Sequence, residues 1–374
     1  DVIAAITAIV MVIPQGMGYA LVAGLQPIYG LYSALMGHCL YGPFGTSGQL
    51  IVAPVAIVSL MTKETLSRYI GNMESLAEKY ALGLGFEIGS SEYQDAYDTK
   101  LPIIYAAYGS ALAFQVGVFS LLLGLFKAGI LANMLAEPVI VGFTFAAAIL
   151  IGMSQLEFVL NVHVHGHSLI GKVIDLFKHI NEAHGLSVLL AACCIVFLLI
   201  LRTWKRRPNI PGSKYAKFIP GPLILVVIAT AISASKGAST GWDVVGELPK
   251  GLPVFVNFFD DIEMSDFYPL MLPGLLITIL AFIESIAVAI KFADKHDYSI
   301  DASQELIALG ICNLVGCWFQ IYPVSGVLSL ATVVEAAGAT TPLYSIMAGT
   351  GMILCTAFLL KLFEWLPKPV LGSI

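Results

Sequence analysis

The stretch Leu275–Ile290, LLITILAFIESIAVAI, contains one charged residue, Glu284, in an otherwise apolar run. A bilayer core needs about 20 mostly apolar residues per helix, and the run around this stretch predicts a span over residues 268–290. An unpaired carboxylate at the bilayer centre costs about 2.5–3.5 kcal/mol, so such groups usually face a cavity or a partner. Glu284 is therefore a candidate functional residue. A carboxylate that only hydrogen-bonds between helices is the alternative.

The composition of the whole chain supports a membrane protein. Of the 374 residues, 58% are hydrophobic and 12% are charged, whereas soluble domains have about a quarter of their residues charged. The mean hydropathy is +0.86. These values predict an all-α polytopic membrane protein. The apolar runs predict spans near residues 2–22, 26–43, 49–62, 102–126, 137–158, 186–201, 220–234, 268–290, 304–319, 326–337 and 341–362.

Two of these spans, the third and the tenth, are too short to cross a bilayer as helices. In Gly45–Lys63, GTSGQLIVAPVAIVSLMTK, a β-rich run over 50–53 is followed by Pro54, which suits the first turn of a helix. In Ile321–Pro342, IYPVSGVLSLATVVEAAGATTP, glycines bracket a helix predicted over 326–338. At 1.5 Å per residue these helices reach about 14 and 18 Å, against a core of about 30 Å. Broken helices of this kind line cavities, and their N-termini suit an anion because they present free N–H groups and partial positive charge.

The two predicted half-helices occupy matching places in the order of spans. Gln15 in the first span precedes Pro54 by 39 residues, and Glu284 in the eighth precedes Ser325 by 41. A shift of seven spans, an odd number, requires the second copy to enter the membrane from the other side. This order predicts an inverted repeat, which in transporters places the substrate site where paired broken helices meet. Chance similarity of hydrophobic spacing is the alternative.

Four stretches of the chain resemble the signatures of the sulfate permease family, also called solute carrier family 26. They are IPQGMGYALVAGLQPIYGLYSAL (Ile13–Leu35), GTSGQLIVAPVAIVSLM (Gly45–Met61), EPVIVGFTFAAAILIGMSQL (Glu137–Leu156) and ESIAVAIKFADKHDYSIDASQELIALGICNLVGCWFQIYPVSG (Glu284–Gly326). Members of this family have fourteen spans in two inverted sets of seven, followed by a cytoplasmic STAS domain. The resemblance therefore implies that residues 1–234 form the first repeat. Residues 268–374 would form an incomplete second repeat, which ends at the start of a twelfth span. With no STAS domain and an incomplete repeat, we expect that the chain does not transport as it stands.

The resemblance also implies an anion site between the N-termini of the half-helices. The residues it places there are Gln15, Tyr19, Ala53, Val55, Glu284, Ser329 and Leu330. Gln15 and Tyr19 are four residues apart and so share a helix face, although hydrogen bonding between helices and simple packing are alternative roles for them. Ser329 can equally bond its own backbone.

The sequence departs from the family at this implied site. Where many members have Ser-Arg, this chain has Ser329 followed by Leu330, and Ala53 replaces a family Gly before Pro54. The Leu removes a fixed positive charge beside the anion. In proton-coupled plant relatives the Glu that matches Glu284 is thought to work with that Arg. Glu284 is accordingly the candidate proton-coupling residue, but the resemblance alone does not decide for sulfate–proton symport.

The charged loops predict the orientation of the chain. Basic residues concentrate in 202–217 after the sixth span, and Lys127 and Lys291 follow the fourth and the eighth. Acidic residues concentrate in the loops 63–100 and 235–266. By the positive-inside rule, the N-terminus is cytoplasmic.

The function expected from the resemblance is secondary active transport of an anion, sulfate above all, by an elevator-like displacement of a core against a gate. Exchange of bicarbonate, chloride or oxalate is the nearest alternative. A sensor or motor that binds anions without transport is an alternative of a different class. The expected partners are the inorganic anion, the lipid bilayer and, for the full-length protein, a second copy in a homodimer, with no nucleic acid. We expect the plasma membrane as its location, with an organellar membrane as the alternative.

Other reactive side chains do not form a recognisable site in the sequence. The six cysteines lie in or beside apolar runs without a C-x-x-C pair, as small packing residues do. His163, His165 and His167 alternate in a loop, but no Cys or carboxylate stands at ligand spacing, so a solvated loop is favoured over a metal site. No nucleophile–base pair is evident. We therefore expect no enzyme activity, no cofactor and no metal.

Overall fold

The computed structural model is mostly helical, as the composition predicts. It describes residues 1–86, 88–129, 184–206, 221–236, 242–246, 251–358 and 360–373, with scattered positions between 142 and 178. Among these, four helical stretches are long and apolar enough to cross a membrane: Val2–Val22, Ser91–Leu125, Met271–His296 and Ala302–Phe319. The helices, in chain order, are α1 Val2–Val22, α2 Pro27–Phe44, α3 Ala56–Leu66, α4 Ile70–Gly83, α5 Ser91–Leu125, α6 Gly185–Arg206, α7 Gly221–Lys236, α8 Met264–Phe267, α9 Met271–His296, α10 Ala302–Gly316, α11 Leu328–Ala336, α12 Leu343–Phe358 and α13 Lys368–Ser373.

Two short strands pair in the buried interior and organise the centre of the fold. They are β1 (Val52–Ala53) and β2 (Ser325–Gly326), which run antiparallel with Val52 opposite Gly326. Each strand leads into a short helix, β1 into α3 and β2 into α11. With 11 and 9 residues, these helices are about 16 and 14 Å long, well short of a core of about 30 Å. The prediction of two half-helices is confirmed.

The starts of the half-helices differ from the sequence prediction. The first begins at Ala56 rather than at Pro54, with Val55 as its N-cap in an extended conformation. A proline favours an extended conformation in the residue before it, and here that residue, Ala53, is part of β1. The chain stays extended through Val55, so the helix begins two residues after the proline. The second half-helix begins at Leu328 rather than near Gly326 because Gly326 belongs to β2.

The acidic segment 63–100, predicted as a loop, is largely helical. Helix α4 occupies Ile70–Gly83, and α5 begins at Ser91 rather than at 102. The buried side chains of α4 are spaced four residues apart: Met73, Ala77 and Ala81. The loop prediction was wrong because it relied on hydropathy, which detects membrane spans. A charged helix that buries only one narrow row of side chains gives no such signal.

Close contacts at glycines pack the helices around the strand pair. A Cβ atom on Gly30 of α2 would lie 2.0 Å from the carbonyl oxygen of Gly16 in α1. A Cβ atom on Gly117 of α5 would lie 2.5 Å from the backbone nitrogen of Leu314 in α10. Small residues let helix backbones approach in this way in membrane proteins. As a result α1 and α2, and likewise α5 and α10, pack backbone against backbone.

Some sequence predictions lie outside the described residues. These are most of the span 137–158, the histidines His163, His165 and His167, and the basic residues of the 202–217 segment beyond Arg206. The cysteines are described, and each is a free thiol.

Candidate functional site

The N-termini of the two half-helices lie at the strand pair and carry unbonded backbone donors. In α3 the first helical bond runs from the Ser59 N–H to the Val55 carbonyl at 2.9 Å, and in α11 it runs from the Ala331 N–H to the Val327 carbonyl at 3.0 Å. The three N–H groups before each of these bonds have no carbonyl partner within their own helix. Both N-caps are valines, and neither makes a side-chain capping bond. Two sets of N–H donors and two positive dipole ends, equivalent to about half a charge each, are therefore present at this site.

Gln15, Tyr19 and Ser329 form one hydrogen-bonded group beside these N-termini. The Gln15 Nε2 atom donates to the Tyr19 Oη atom at 2.9 Å and to the Ser329 Oγ atom at 3.3 Å. No acceptor is recorded among the described residues for the hydroxyl hydrogens of Tyr19 and Ser329. Because both oxygens accept from the amide, both hydrogens are free to be donated. A group that presents two O–H donors suits an anion.

Glu284 lies beside the second strand, where its nearest polar neighbour is Ser325. The Ser325 Oγ atom lies 3.3 Å from the Glu284 Oε2 atom and 3.1 Å from the Ala281 carbonyl oxygen. Ser285 lies on the other side of this hydroxyl, donates to the Ala281 carbonyl at 2.7 Å and accepts from the Gly326 N–H at 2.8 Å. A serine has one hydrogen to give, so Ser325 can donate to the carboxylate or to the carbonyl, but not to both at once.

The remaining predicted residues contact the site through the backbone. Ala53 is buried and pairs with Ser325 in the strand ladder. Val55 is half-buried and caps α3. Leu330 has a side chain packed in the hydrophobic core, with 1% of its surface exposed, whereas the neighbouring Ser329 is exposed. Leu330 can therefore reach the site by its N–H group, and its side chain lies on another face of α11.

The structure thus brings together most of the residues that the sequence singled out. The second strand and its half-helix connect the Glu284 group to the Gln15 group, because Ser325 of β2 contacts Glu284 and Ser329 of α11 contacts Gln15. None of the hydrogen bonds or ion pairs recorded for Gln15, Tyr19, Glu284 or Ser329 in the described part of the chain involves a Lys or Arg side chain. Among the described residues, the positive potential identified at this site comes from helix dipoles and N–H groups. Within the same residues, no group of three His, Cys, Asp or Glu is placed to hold a metal ion.

Sequence reasoning missed three residues that shape this region. The Oγ atoms of Ser285 and Ser325 lie 3.4 Å apart, and Ser285 accepts from the Gly326 N–H in β2, the strand that leads into α11. The sequence contained a signal for both serines, because Ser285 directly follows Glu284 and Ser325 directly precedes Gly326. Glu305 is 2% exposed and accepts hydrogen bonds from the loop before β1. It lies at the start of its predicted span, where a carboxylate is also expected on an ordinary exposed helix end.

The comparisons with known proteins agree with this geometry. The profile of the sulfate permease family matches residues 1–374. The chain is 34% identical over 378 residues to a probable sulfate transporter 4.2 of Arabidopsis thaliana, covering 100% of this chain and 50% of that protein. It is 32% identical over 388 residues to prestin of Danio rerio, covering 100% of this chain and 49% of that one.

A solved structure shows the same fold. The murine Solute Carrier 26 family member A9 anion transporter in the inward-facing state superposes with a TM-score of 0.83 at 25% identity, covering 100% of this chain and 58% of that chain. The chain spans about half the length of the curated relatives it matches. With the match of the family profile over its whole length, this chain is a multi-pass membrane protein that belongs to the sulfate permease family.

Proposed function

We propose that the protein of which this chain forms part is a secondary active anion transporter, and that its substrate is sulfate. The observation that carries the proposal is the meeting of two uncapped half-helix N-termini at one strand pair, beside the hydroxyls of Tyr19 and Ser329. Backbone N–H groups at helix N-termini bind oxyanions. Family membership and the relative named a probable sulfate transporter support sulfate as the anion.

Glu284 is the proton-coupling group in this proposal, and Ser325 transmits its state. When Glu284 is ionised, the Ser325 hydroxyl donates to it across the 3.3 Å contact. When Glu284 is protonated, it can donate to the Ser325 oxygen, and Ser325 then donates to the Ala281 carbonyl, which lies 3.1 Å away. Protonation also removes a negative charge from beside the anion. Proton uptake would therefore favour anion binding by lowering this repulsion, and it would change the hydrogen bond of Ser325 in β2, the strand that leads into the second half-helix.

Exchange of monovalent anions is the second candidate, and the substitution at Leu330 favours it. Without the family Arg, a divalent anion faces the Glu284 carboxylate with only dipoles, N–H groups and hydroxyls to offset the repulsion. A monovalent anion such as chloride or bicarbonate meets about half of that repulsion at the same distance. The two candidates therefore differ in how strongly binding should depend on the protonation of Glu284.

The proposed movement displaces the half-helices and the helices packed on them against the rest of the protein. The antiparallel pairing of β1 and β2 supports the inverted repeat on which this proposal rests, because two copies of one unit inserted in opposite senses would meet in that way. Repeat units over 1–234 and 268–374, a homodimer of the full-length protein and a plasma-membrane location remain part of the proposal.

Flux measurements on the full-length protein test this function. Purified protein in liposomes should take up labelled sulfate, and unlabelled chloride, bicarbonate and oxalate should be compared as competitors and as exchange substrates at two external pH values. Faster sulfate uptake at the lower pH supports symport. Uptake that requires an internal anion and is independent of pH supports exchange. Saturable binding without flux would overturn transport and favour a sensor or motor.

A further inference from the structure

The segment that leads into the first half-helix is bonded to the rest of the protein at almost every residue. The Gln49 amide donates to the Ala339 carbonyl at 3.2 Å, and the Leu50 carbonyl accepts from the Tyr344 hydroxyl at 2.8 Å. The Ile51 carbonyl accepts from the Val327 N–H at 2.8 Å, and the next two residues form β1. Any displacement at the start of this segment would therefore be passed to the N-terminus of α3.

Glu305 holds the start of this segment. Its Oε1 atom accepts from the Thr46 N–H at 2.7 Å, from the Thr46 hydroxyl and from the Ser47 N–H at 3.2 Å. Its Oε2 atom accepts from the Tyr41 hydroxyl at 3.1 Å. Tyr298 adds a second contact, because its hydroxyl lies 3.0 Å from the Ser47 Oγ atom and donates to the Gln49 side chain at 2.7 Å. Four donor groups converge on one buried carboxylate.

The helix that carries Glu305 is itself firmly placed. Helix α10 contacts α5 backbone to backbone, since a Cβ atom on Gly310 would lie 2.8 Å from the Leu121 nitrogen. Asp301 caps its N-terminus by accepting from the Ser303 N–H at 2.8 Å. The Glu305 carboxylate therefore connects a fixed helix to a loop that has no secondary structure of its own between Gly45 and Ile51.

We propose that Glu305 is a positioning residue for anion binding, which fixes the register of residues 46–53 and so the place of the free N–H groups at the start of α3. The inference rests on the proposed anion site, but it assigns to Glu305 no contact with the anion. A positioning role predicts that a change at Glu305 alters anion affinity. The loss of an ordinary buried residue would instead lower the amount of folded protein without changing anion affinity.

The test is Glu305→Asp in the full-length protein, with Glu263→Asp as the matched control. The shorter side chain keeps the charge but draws the carboxylate back, so it cannot reach all four donors. We expect the KM for sulfate to rise about fivefold, the loss expected for about one hydrogen bond. The shape of the pH profile should stay unchanged, because Glu284 is untouched. Glu263 is exposed on another part of the surface, and its variant should match the wild type in KM.

Hydrogen exchange measured by mass spectrometry gives a readout that does not depend on transport. Amides of residues 46–58 should exchange faster in Glu305→Asp than in the control, while those of α5 stay protected.

If the wild type neither binds nor carries anions, the proposed function fails, and the exchange data still decide whether Glu305 fixes this segment. If Glu305→Asp does not fold, Tyr41→Phe and Thr46→Val each remove one donor at nearly constant volume and should each raise KM by up to about fivefold, the loss of about one hydrogen bond. Folded variants with wild-type KM and wild-type exchange would overturn the proposal.

Discussion

Glu284 and Glu305 lie in two consecutive apolar helices, yet their surroundings are opposite. Glu305 is 2% exposed and accepts from four donor groups. Glu284 is partly buried, and Ser325 is the one donor recorded for it among the described residues, at the longer distance of 3.3 Å. A carboxylate whose acceptor positions are filled is held in one state, whereas a carboxylate with open acceptor positions can change partners.

The comparison separates two uses of the same side chain in a membrane. Burial of a charge is tolerated at Glu305 because hydrogen bonds replace the lost water, and the gain is a fixed loop. At Glu284 fewer bonds replace that water, which is why the proposed function assigns proton coupling to this carboxylate. The same contrast holds for the half-helices. The first is fixed through a carboxylate at its approach, and the second through neutral groups, among which Asn313 bonds both the N–H and the carbonyl of Val324.

The largest expected effect is the difference in stability between Glu305→Ala and Glu284→Ala. The first leaves the Thr46 N–H and hydroxyl without their acceptor, and it leaves the Ser47 N–H and the Tyr41 hydroxyl with only the longer contacts between these two residues, at 3.3 and 3.5 Å. It should lower stability by about 3 kcal/mol. The second leaves one serine hydroxyl, which retains the Ala281 carbonyl as a partner, and should cost about 1 kcal/mol or less. Thermal unfolding of the purified proteins in detergent measures both. Equal losses would show that the two carboxylates do not differ in their structural role.

The second expected effect is a loss of pH dependence in Glu284→Gln but not in Glu305→Gln. A single titrating carboxylate changes its protonated fraction by up to about tenfold per pH unit, and uptake by the wild type should follow that change. Gln imitates the protonated form, so uptake by Glu284→Gln should be the same at both pH values, while exchange of internal for external anion continues. Initial rates of sulfate uptake at two external pH values measure the pH dependence of each variant. If Glu284→Gln keeps the wild-type pH profile, coupling belongs to another group.

Most of the fold could be predicted from the sequence because membrane spans and breaks in them leave local signals. The bounds of α1 match the predicted span 2–22, and the two half-helices were recognised from their glycines, proline and short length. Helix α4 was missed, since a charged helix that buries only one narrow row of side chains lacks a hydropathy signal. The pairing of β1 with β2 could not be predicted from either stretch alone, because each strand has two residues and about 270 residues separate them.

The site was predicted less completely, for a physical reason that the two carboxylates illustrate. Glu284 is conspicuous because apolar residues surround it in the sequence. Glu305 follows Gln304 near a helix start, where an acidic residue is ordinary, and its burial depends on Tyr41 and Thr46, which are more than 250 positions away. The burial of the Leu330 side chain likewise depends on packing between helices. Residue type and local spacing do not contain this information.

The third expected effect concerns the hydroxyl of Ser329. Its removal tests whether the hydrogen-bonded group of Gln15, Tyr19 and Ser329 contacts the anion. Ser329→Ala removes one of the two free O–H donors and should raise the KM for sulfate about fivefold. Thr332→Ala on the same half-helix is the control, because the Thr332 hydroxyl donates to its own backbone, the Ser329 carbonyl, at 2.7 Å. Its KM should change less than about twofold, since this bond contributes to the helix alone. Similar shifts in both variants would indicate a general effect on α11 instead of an anion contact.

The smallest expected effect belongs to a third carboxylate, Glu335, at the other end of the same half-helix. Its Oε1 atom lies 2.9 Å from the Lys295 Nζ atom and 3.1 Å from the His296 Nε2 atom; the Glu335 side chain is 16% exposed, and the two partner side chains are 56% and 38% exposed. Ion pairs whose cations are open to water contribute about 0–1 kcal/mol, because water and salt screen the charges. Glu335→Gln should therefore lower stability by less than about 1 kcal/mol, with no change in the KM for sulfate or in the pH profile. Thermal unfolding at low and high salt, together with uptake rates, measures this effect, and high salt should shrink the difference from the wild type. A change in KM or in the pH profile would show that the far end of α11 also affects anion binding. The comparison of Glu284 with Glu305 would then have to include Glu335.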